Sequence, residues 1–214
     1  MARPTEGHAV HAVNVHILGT VMFILWAAQW AVMALGPGGF PHEKPSEGVI
    51  AKTYNFLNML TVGIVMPLVA ILFMIGYLGP IEVLRIHIPE GRTLVAVEIA
   101  GMGFYLAAHL LISWARFSIG DSFQMGGVAP RPSDNLIARG AYSVVRHPMY
   151  TALLCFDLGL ALMTQSLVLL SLFAALLVVV LLLVPVEERQ LETAYGEQYV
   201  EYRKKVKGLV PLVY

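Results

Sequence analysis

The sequence predicts an all-α integral membrane protein with five transmembrane helices. The last two form a helical hairpin, and an amphipathic cytoplasmic helix follows at the C-terminus. Three observations carry this reading. Of 214 residues, 57% are hydrophobic and only 13% are charged, against ~25% charged in a soluble domain. The apolar residues sit in long uninterrupted blocks rather than in stripes at helical spacing. Short polar connections separate the blocks, and the formal net charge is zero, which argues against a nucleic-acid partner.

The N-terminal stretch MARPTEGHAVHAVNVH carries Arg3 but also Glu6. The apolar run behind it is too long for the core of a signal peptide, so it is expected to be retained as the first span. Apolar blocks run from about Val13 to Leu35, Asn58 to Leu78 and Thr93 to Ala115. Each is long enough to cover a hydrocarbon layer of about 30 Å at ~1.5 Å per residue. The next block, from Met149 to Val184, is too long for one crossing. Its polar triplet Thr164-Gln165-Ser166 divides it into a hairpin with arms Pro148 to Met163 and Leu167 to Val186. Proline suits the first position of a helix, where its missing N–H costs nothing.

Beyond Pro185 the chain becomes charged. Leu191, Tyr195, Tyr199, Tyr202 and Val206 recur at three- and four-residue steps, the mark of one helical face. Gly196 is expected to break this segment into two short helices. The chain thus reads as one integrated membrane domain in two parts, a three-span region over 1–115 and a hairpin with its tail over 116–214.

Charge orients the bundle. With five spans, Lys44, Lys52, Arg116, Arg131, Arg139, Arg146, Arg189, Arg203, Lys204, Lys205 and Lys207 share one side, and Arg3, Arg85 and Arg92 the other. The positive-inside rule then places the C-terminus and the long 116–147 loop in the cytoplasm and the N-terminus outside. A four-span reading would split the charge far more evenly.

Several polar residues are candidates for chemistry, and each has a plain structural reading beside it. Cys155, the single cysteine, lies in an apolar run and reads as packing. His8, His11 and His16 have no second ligand set, so no metal site is expected. Glu98, Tyr105 and His109 fall on one helical stripe, and Asp157 lies midway along the short hairpin arm. Glu98, His109 and Asp157 are candidate walls of a substrate cavity, or else interhelical hydrogen bonds that hold the bundle. Lys204, Lys205 and Lys207 suit anionic membrane lipids, and Tyr195 and Tyr202 an interfacial belt.

A hairpin brings its two ends together. Arg146, His147 and Tyr150 before it should therefore lie near Glu187 and Glu188 after it. The two stretches are R-G-x-Y-x-x-x-R-H-P-x-Y, from Arg139 to Tyr150, and E-E-x-x-L-x-x-x-Y-G-x-x-Y-x-x-Y, from Glu187 to Tyr202. This pair resembles the membrane-embedded isoprenylcysteine carboxyl methyltransferase family and the related phospholipid methyltransferases. The resemblance covers Leu136 to Tyr214; residues 1–115 share only their apolar spans.

The resemblance implies S-adenosylmethionine as cofactor and a lipid-linked or small-molecule acceptor, with a carboxylate or thiol as nucleophile. A phenol or a phospholipid amine stays open. It assigns Arg146, Glu187 and Glu188 to the reaction, and Gly140, Tyr142, His147, Pro148, Tyr150, Glu188 and Tyr199 to the cofactor. In that reading the two glutamates accept from the cofactor's ammonium or ribose. Arg146 forms a bidentate pair with a carboxylate, and Tyr142 and Tyr199 stack on the adenine. Membrane sterol reductases that use NADPH share the R-H-P motif, but tend to carry an Asp-Glu pair and a Lys-Tyr-Gly stretch. Glu187-Glu188 and Ala194-Tyr195-Gly196 here favour the methyltransferase. A catalytically silent helical subunit of a membrane complex is the remaining alternative.

Overall fold

The computed structural model describes residues 14–37, 39, 48–79, 84–124 and 126–210. The expectations for Arg3, Glu6, His8 and His11 lie outside them. Among the described residues the chain is helical, with two isolated β-bridges and no strand.

Helix α1, Val15–Leu35, begins at Asn14, whose side chain accepts from the N–H groups of His16 and Ile17. Such an N-cap satisfies donors that the first turn leaves open. Helix α2, Val49–Leu60, starts nine residues before the expected second span. Lys52 and Asn55 interrupt the hydropathy there, yet Ala51, Tyr54 and Asn55 form a buried face at helical spacing. A π-helical turn, Thr61–Val65, leads directly into α3, Met66–Ile75. Pro67 explains the turn. It has no N–H to give, and its ring crowds the preceding turn, so the ladder widens by one residue. The freed geometry lets the Val62 carbonyl accept from Trp26 Nε1 at 2.7 Å, which fastens the turn to α1.

Helix α4, Arg92–Ile119, is longer than the expected third span and ends at Gly120. Helix α5, Pro148–Thr164, has proline in its first turn as expected. Gln165, at φ 50°, turns the chain, and Ser166 caps helix α6, Leu167–Tyr195. Helix α7, Glu197–Lys205, follows Gly196.

One boundary differs from expectation with consequence. The second hairpin arm does not stop near Val186 but runs through Pro185 to Tyr195. Glu, Arg, Gln, Leu and Ala after the proline are good helix formers, and a proline can kink a helix without ending it. Glu187 and Glu188 are therefore consecutive helical residues, about 100° apart around the axis.

Four described helical stretches are long and apolar enough to cross a membrane: Val15–Leu35, Val49–Ile75, Arg92–Ser122 and Leu167–Tyr195. The fifth, α5, has 17 residues, or about 25 Å at 1.5 Å per residue. Its turn is nonetheless buried, with Gln165 and Ser166 only 2% and 4% exposed. Residues 84–86 cover it. Ile86 N–H donates to the Gln165 carbonyl at 2.7 Å, Leu167 N–H donates to the Leu84 carbonyl at 2.9 Å, and Arg85 reaches Gln165 Oε1. This strap covers the end of the short arm.

The tightest pairing is α4 on α5. A Cβ on Gly159 would lie 2.8 Å from the Gly101 carbonyl, and a Cβ on Gly101 would lie 2.8 Å from Met163 N. Facing glycines let two helical backbones touch, the usual device for packing helices in lipid. One core joins Met22, Phe73, Tyr105, Phe156 and Leu160 across α1, α3, α4 and α5. A second joins Tyr54, Tyr150, Leu176, Val180 and Leu183 across α2, α5 and α6. Outward, Ile17, Ile24, Ile64, Ile99, Leu110 and Leu182 are exposed, as a lipid-facing surface requires.

Candidate functional site

The site is built where the ends of the hairpin meet. A 3₁₀ turn, Gly140–Ser143, brings the chain to the start of α5. Gly140 has φ +59°, and a Cβ there would fall 2.1 Å from Ser118 Oγ. Only glycine lets this turn pack against α4, so Gly140 is a packing residue and does not line the cavity described below.

The residues after α7 run beside this turn. Arg146 N–H donates to the Lys207 carbonyl at 2.8 Å, and His147 N–H to the Gly208 carbonyl at 3.0 Å. Thr151 Oγ1 donates to the Leu209 carbonyl at 2.8 Å. The Tyr202 hydroxyl donates to the Tyr142 carbonyl at 2.5 Å. The C-terminal segment is thereby zipped onto the Arg-His-Pro stretch.

The side chains then divide by helical phase. Glu187 accepts through Oε1 from the Tyr150 hydroxyl and the Gly127 N–H, and its Oε2 lies 3.6 Å from His147 Nδ1. Glu188 accepts through Oε1 from Arg146 Nε at 2.9 Å and from Arg146 Nη2, with His147 Nε2 at 3.4 Å. Arg146 Nη1 donates to the Val206 carbonyl. His147 stacks on Tyr150, with ring centroids 5.7 Å apart and planes 10° apart. Tyr54 from α2 meets Tyr150 edge-on at 4.8 Å. Burial pushes the phenols of Tyr142 and Tyr199 well above their ordinary pKa range, so both remain neutral.

A cavity of about 470 Å³ opens onto this cluster. Its polar end is lined by Tyr142, Arg146, His147, Pro148, Tyr150, Glu187 and Tyr199, together with Asp134, Gln190, Leu191 and Tyr195. Its other end is largely apolar and lies among Trp26, Met33, Met59, Val62, Met66, Ile112 and Phe156.

The structure thus brings together Arg146, His147, Tyr150, Glu187 and Glu188, with two corrections to their expected roles. Glu188 does not line the cavity; it holds Arg146 and His147 from behind and is a positioning residue. The guanidinium fork of Arg146, expected for a ligand carboxylate, is engaged by Glu188 and Val206. Glu98, His109 and Asp157 are buried but line no part of this cavity. His109 Nδ1 sits 3.4 Å from Gln29 Oε1, and Asp157 accepts from Thr61 Oγ1 at 3.3 Å, so both are interhelical contacts. Among the described residues no His, Cys, Asp or Glu cluster could hold a metal.

Other residues of the site were not expected. Asp134 accepts through Oδ2 from the Arg131 N–H at 2.9 Å and from Gln124 Nε2 at 2.8 Å, and lines the cavity. Arg116, fully buried, donates to the carbonyls of Gly39 and Gly120 and lies over the Phe123 ring, fixing the start of the long loop. Most of the apolar end comes from the first two spans, with Ile112 and Phe156 added from α4 and α5. Polar residues inside apolar blocks, Gln29 and Asn58 among them, were the available signal.

S-adenosylmethionine presents an ammonium, a carboxylate, ribose hydroxyls and an adenine. The polar end supplies carboxylates in Glu187 and Asp134, a cation in Arg146, and aromatic faces in Tyr142 and Tyr199. That donor set fits the group.

Comparison with known proteins agrees. The phospholipid methyltransferase family matches residues 97–198. A protein-S-isoprenylcysteine O-methyltransferase of Schizosaccharomyces pombe is 30% identical over 118 residues, covering 54% of this chain and 50% of the relative. The protein-S-isoprenylcysteine O-methyltransferase B of Arabidopsis thaliana is 29% identical over 117 residues, covering 53% and 58%. The chain therefore spans only about half the length of these curated relatives. A solved eukaryotic intramembrane Ras methyltransferase, an isoprenylcysteine carboxyl methyltransferase, aligns over 94% of this chain and 88% of its own. At 15% identity and a TM-score of 0.49, that likeness is too distant to add to the case. Residues 97–198, which hold the Arg-His-Pro stretch, the hairpin and the double glutamate, are thus similar to the phospholipid methyltransferase family and to the protein-S-isoprenylcysteine O-methyltransferases.

Proposed function

We propose that this protein transfers a methyl group from S-adenosylmethionine to a carboxylate carried on a lipid-like chain, at the cytoplasmic boundary of a membrane. The observation that carries the proposal is the continuity of the cavity: one end is polar and charged, the other apolar, and both lie in one space of about 470 Å³. The polar end suits the cofactor, and the apolar end suits a hydrophobic chain. The names of the curated relatives, S-isoprenylcysteine O-methyltransferases, support an acceptor of this kind.

When bound, the cofactor supplies a methyl group on a cationic sulfur. Transfer to a carboxylate oxygen would exchange the carbon–sulfur bond for a carbon–oxygen bond and turn a cation and a carboxylate into two neutral groups. No proton need move, and the residues of the chain act by placement. Glu187 and Asp134 offer acceptors for the ammonium and ribose, with Glu187 held by Tyr150 and Gly127. Tyr142 and Tyr199, which line the polar end, would hold the adenine. Arg146, oriented by Glu188, adds positive potential where a carboxylate approaches. The apolar walls exclude water, which otherwise stabilises the separated charges. Fixed proximity supplies much of the remaining rate.

The distribution of Lys and Arg supports a cytoplasmic cofactor end and C-terminus. The test is transfer of tritiated methyl from S-adenosylmethionine to N-acetyl-S-farnesylcysteine by the purified chain. A base-labile methyl ester is expected. Label in a base-stable product, or none above a control without protein, overturns the carboxylate assignment.

A further inference from the structure

Arg146 has little left with which to grip an acceptor carboxylate. Its Nε and Nη2 donate to Glu188, and its Nη1 donates to the carbonyls of Val206 and Arg203. No pair of N–H groups remains for a two-pronged contact. The wall formed by α2 carries another donor. Asn58 lines the cavity and is half-buried. Its side chain makes no hydrogen bond among the described residues. Its amide is not sealed inside the protein, as Gln29 Nε2 and Asn55 Oδ1 are.

Asn58 stands midway between two contacts that mark the ends of the cavity. One turn before it, Tyr54 meets Tyr150 edge-on at 4.8 Å, and the Tyr150 hydroxyl donates to Glu187 at the polar end. One turn after it, the Val62 carbonyl accepts from Trp26 Nε1 at 2.7 Å at the apolar end. Each contact lies about 6 Å away along the helix axis, on nearly the same face. The segment is pinned on both sides. Asn55 Nδ2 donates to the Gly126 carbonyl at 3.3 Å, and Thr61 Oγ1 donates to Asp157 at 3.3 Å. These neighbours spend their donors on packing, whereas the Asn58 amide is held at the junction with its donors open. A hydrocarbon tail seated there would strip the amide of water and give it nothing in return. The polar head of an amphiphile would replace what is lost.

We propose that Asn58 binds the acceptor's carboxylate, with Nδ2 donating to one oxygen while the other oxygen faces the methyl group. The inference rests on the reading above, in which the acceptor is a carboxylate whose chain occupies the apolar end. A neutral donor suits this work. It orients the carboxylate through one oxygen and draws off less charge than a guanidinium fork, which forms the stronger bond. The free oxygen therefore keeps its nucleophilicity. Its lone pair forms the carbon–oxygen bond, the carbon–sulfur pair stays on sulfur, and no proton moves. Once esterified, the acceptor has no charge, and its hydrogen bond to Asn58 weakens. Asn58 thus favours the acid over the ester.

The test uses the full-length chain purified in detergent and saturated with S-adenosylhomocysteine. The probes are N-acetyl-S-farnesylcysteine and its methyl ester, the acid and ester of one amphiphile. Asn58→Leu is expected to weaken binding of the acid about tenfold, the loss of one hydrogen bond to a charged group. The ester should lose less. Asn58→Asp sets a carboxylate against a carboxylate, so it is expected to weaken the acid further and to leave the ester nearly unchanged. Two variants are used so that failure of one to fold does not end the test. Affinity for S-adenosylhomocysteine should stay at the wild-type value in both. Unchanged affinity for the acid in a folded variant overturns the inference. Equal losses for acid and ester also overturn it and leave Asn58 as packing alone. A fall in S-adenosylhomocysteine affinity as large as the fall for the acid overturns it and moves Asn58 to the cofactor. If the wild-type chain binds S-adenosylhomocysteine but not the acid, the carboxylate reading fails and the inference with it. If it binds both and the variants match it, only the role of Asn58 fails.

Discussion

Neutralising Glu188 tests how the site is held. Its carboxylate takes two donors from Arg146 and lies 3.4 Å from His147 Nε2, and the Arg146 and Glu188 side chains are only 12% and 14% exposed. Screening by water is therefore weak, and the pair is not a surface contact of small worth. A hydrogen bond to a charged partner contributes ~1.5–3 kcal/mol. Glu188→Gln keeps an acceptor oxygen but leaves the guanidinium without a counter-charge, so a loss of about 1.5–3 kcal/mol of stability is expected. For a chain of this size that corresponds to a Tm lower by ~3–12 °C. Arg146→Gln should cost a similar amount, and the double variant little more than either alone. The coupling in such a cycle should reach at least about 1.5 kcal/mol, well beyond the ~0.5 kcal/mol scatter of independent sites. The assay is thermal unfolding of the four proteins in one detergent, repeated with S-adenosylhomocysteine. Additive single effects would refute the claim that Glu188 acts through Arg146.

Other consequences follow from the same geometry. Gly159→Val should separate α4 from α5, because its side chain would meet the Gly101 carbonyl and the Tyr105 backbone; the loss, about 1–3 kcal/mol or more, is read as reduced Tm or failure to elute as a single species. Tyr150→Phe removes a donor to Glu187 and loosens its hold on Gly127; affinity for S-adenosylhomocysteine should fall about tenfold. Lys204→Ala should leave it unchanged, since Lys204 is exposed and paired with Glu201 on α7. Reporter fusions at Met1 and Tyr214 should place the termini on opposite sides, with Tyr214 cytoplasmic.

The broad architecture was legible because hydropathy over tens of residues is a strong signal, and because Pro148, Ser166 and Gly196 mark helix ends by local chemistry. The meeting of Arg146, His147 and Tyr150 with the double glutamate followed from hairpin geometry alone. Finer assignments failed where phase mattered. Reading α6 as ending near Pro185 hid the fact that Glu187 and Glu188 point to different neighbours. The early start of α2 was masked by Lys52 and Asn55, which lower hydropathy without breaking the helix. Glu98, His109 and Asp157 drew notice as costly polar groups in apolar spans, yet those lining the cavity were the less conspicuous amides Gln29, Asn55 and Asn58. Which face of a span meets a cavity depends on packing between spans, and a single amphipathic pattern does not encode it.

The most direct test of the account is a calorimetric titration of the purified full-length chain with S-adenosylhomocysteine and, separately, with NADPH. The account predicts saturable binding of S-adenosylhomocysteine, weakened in Tyr150→Phe, and no binding of NADPH. Binding of NADPH without S-adenosylhomocysteine would contradict it and assign the cavity to a reductase.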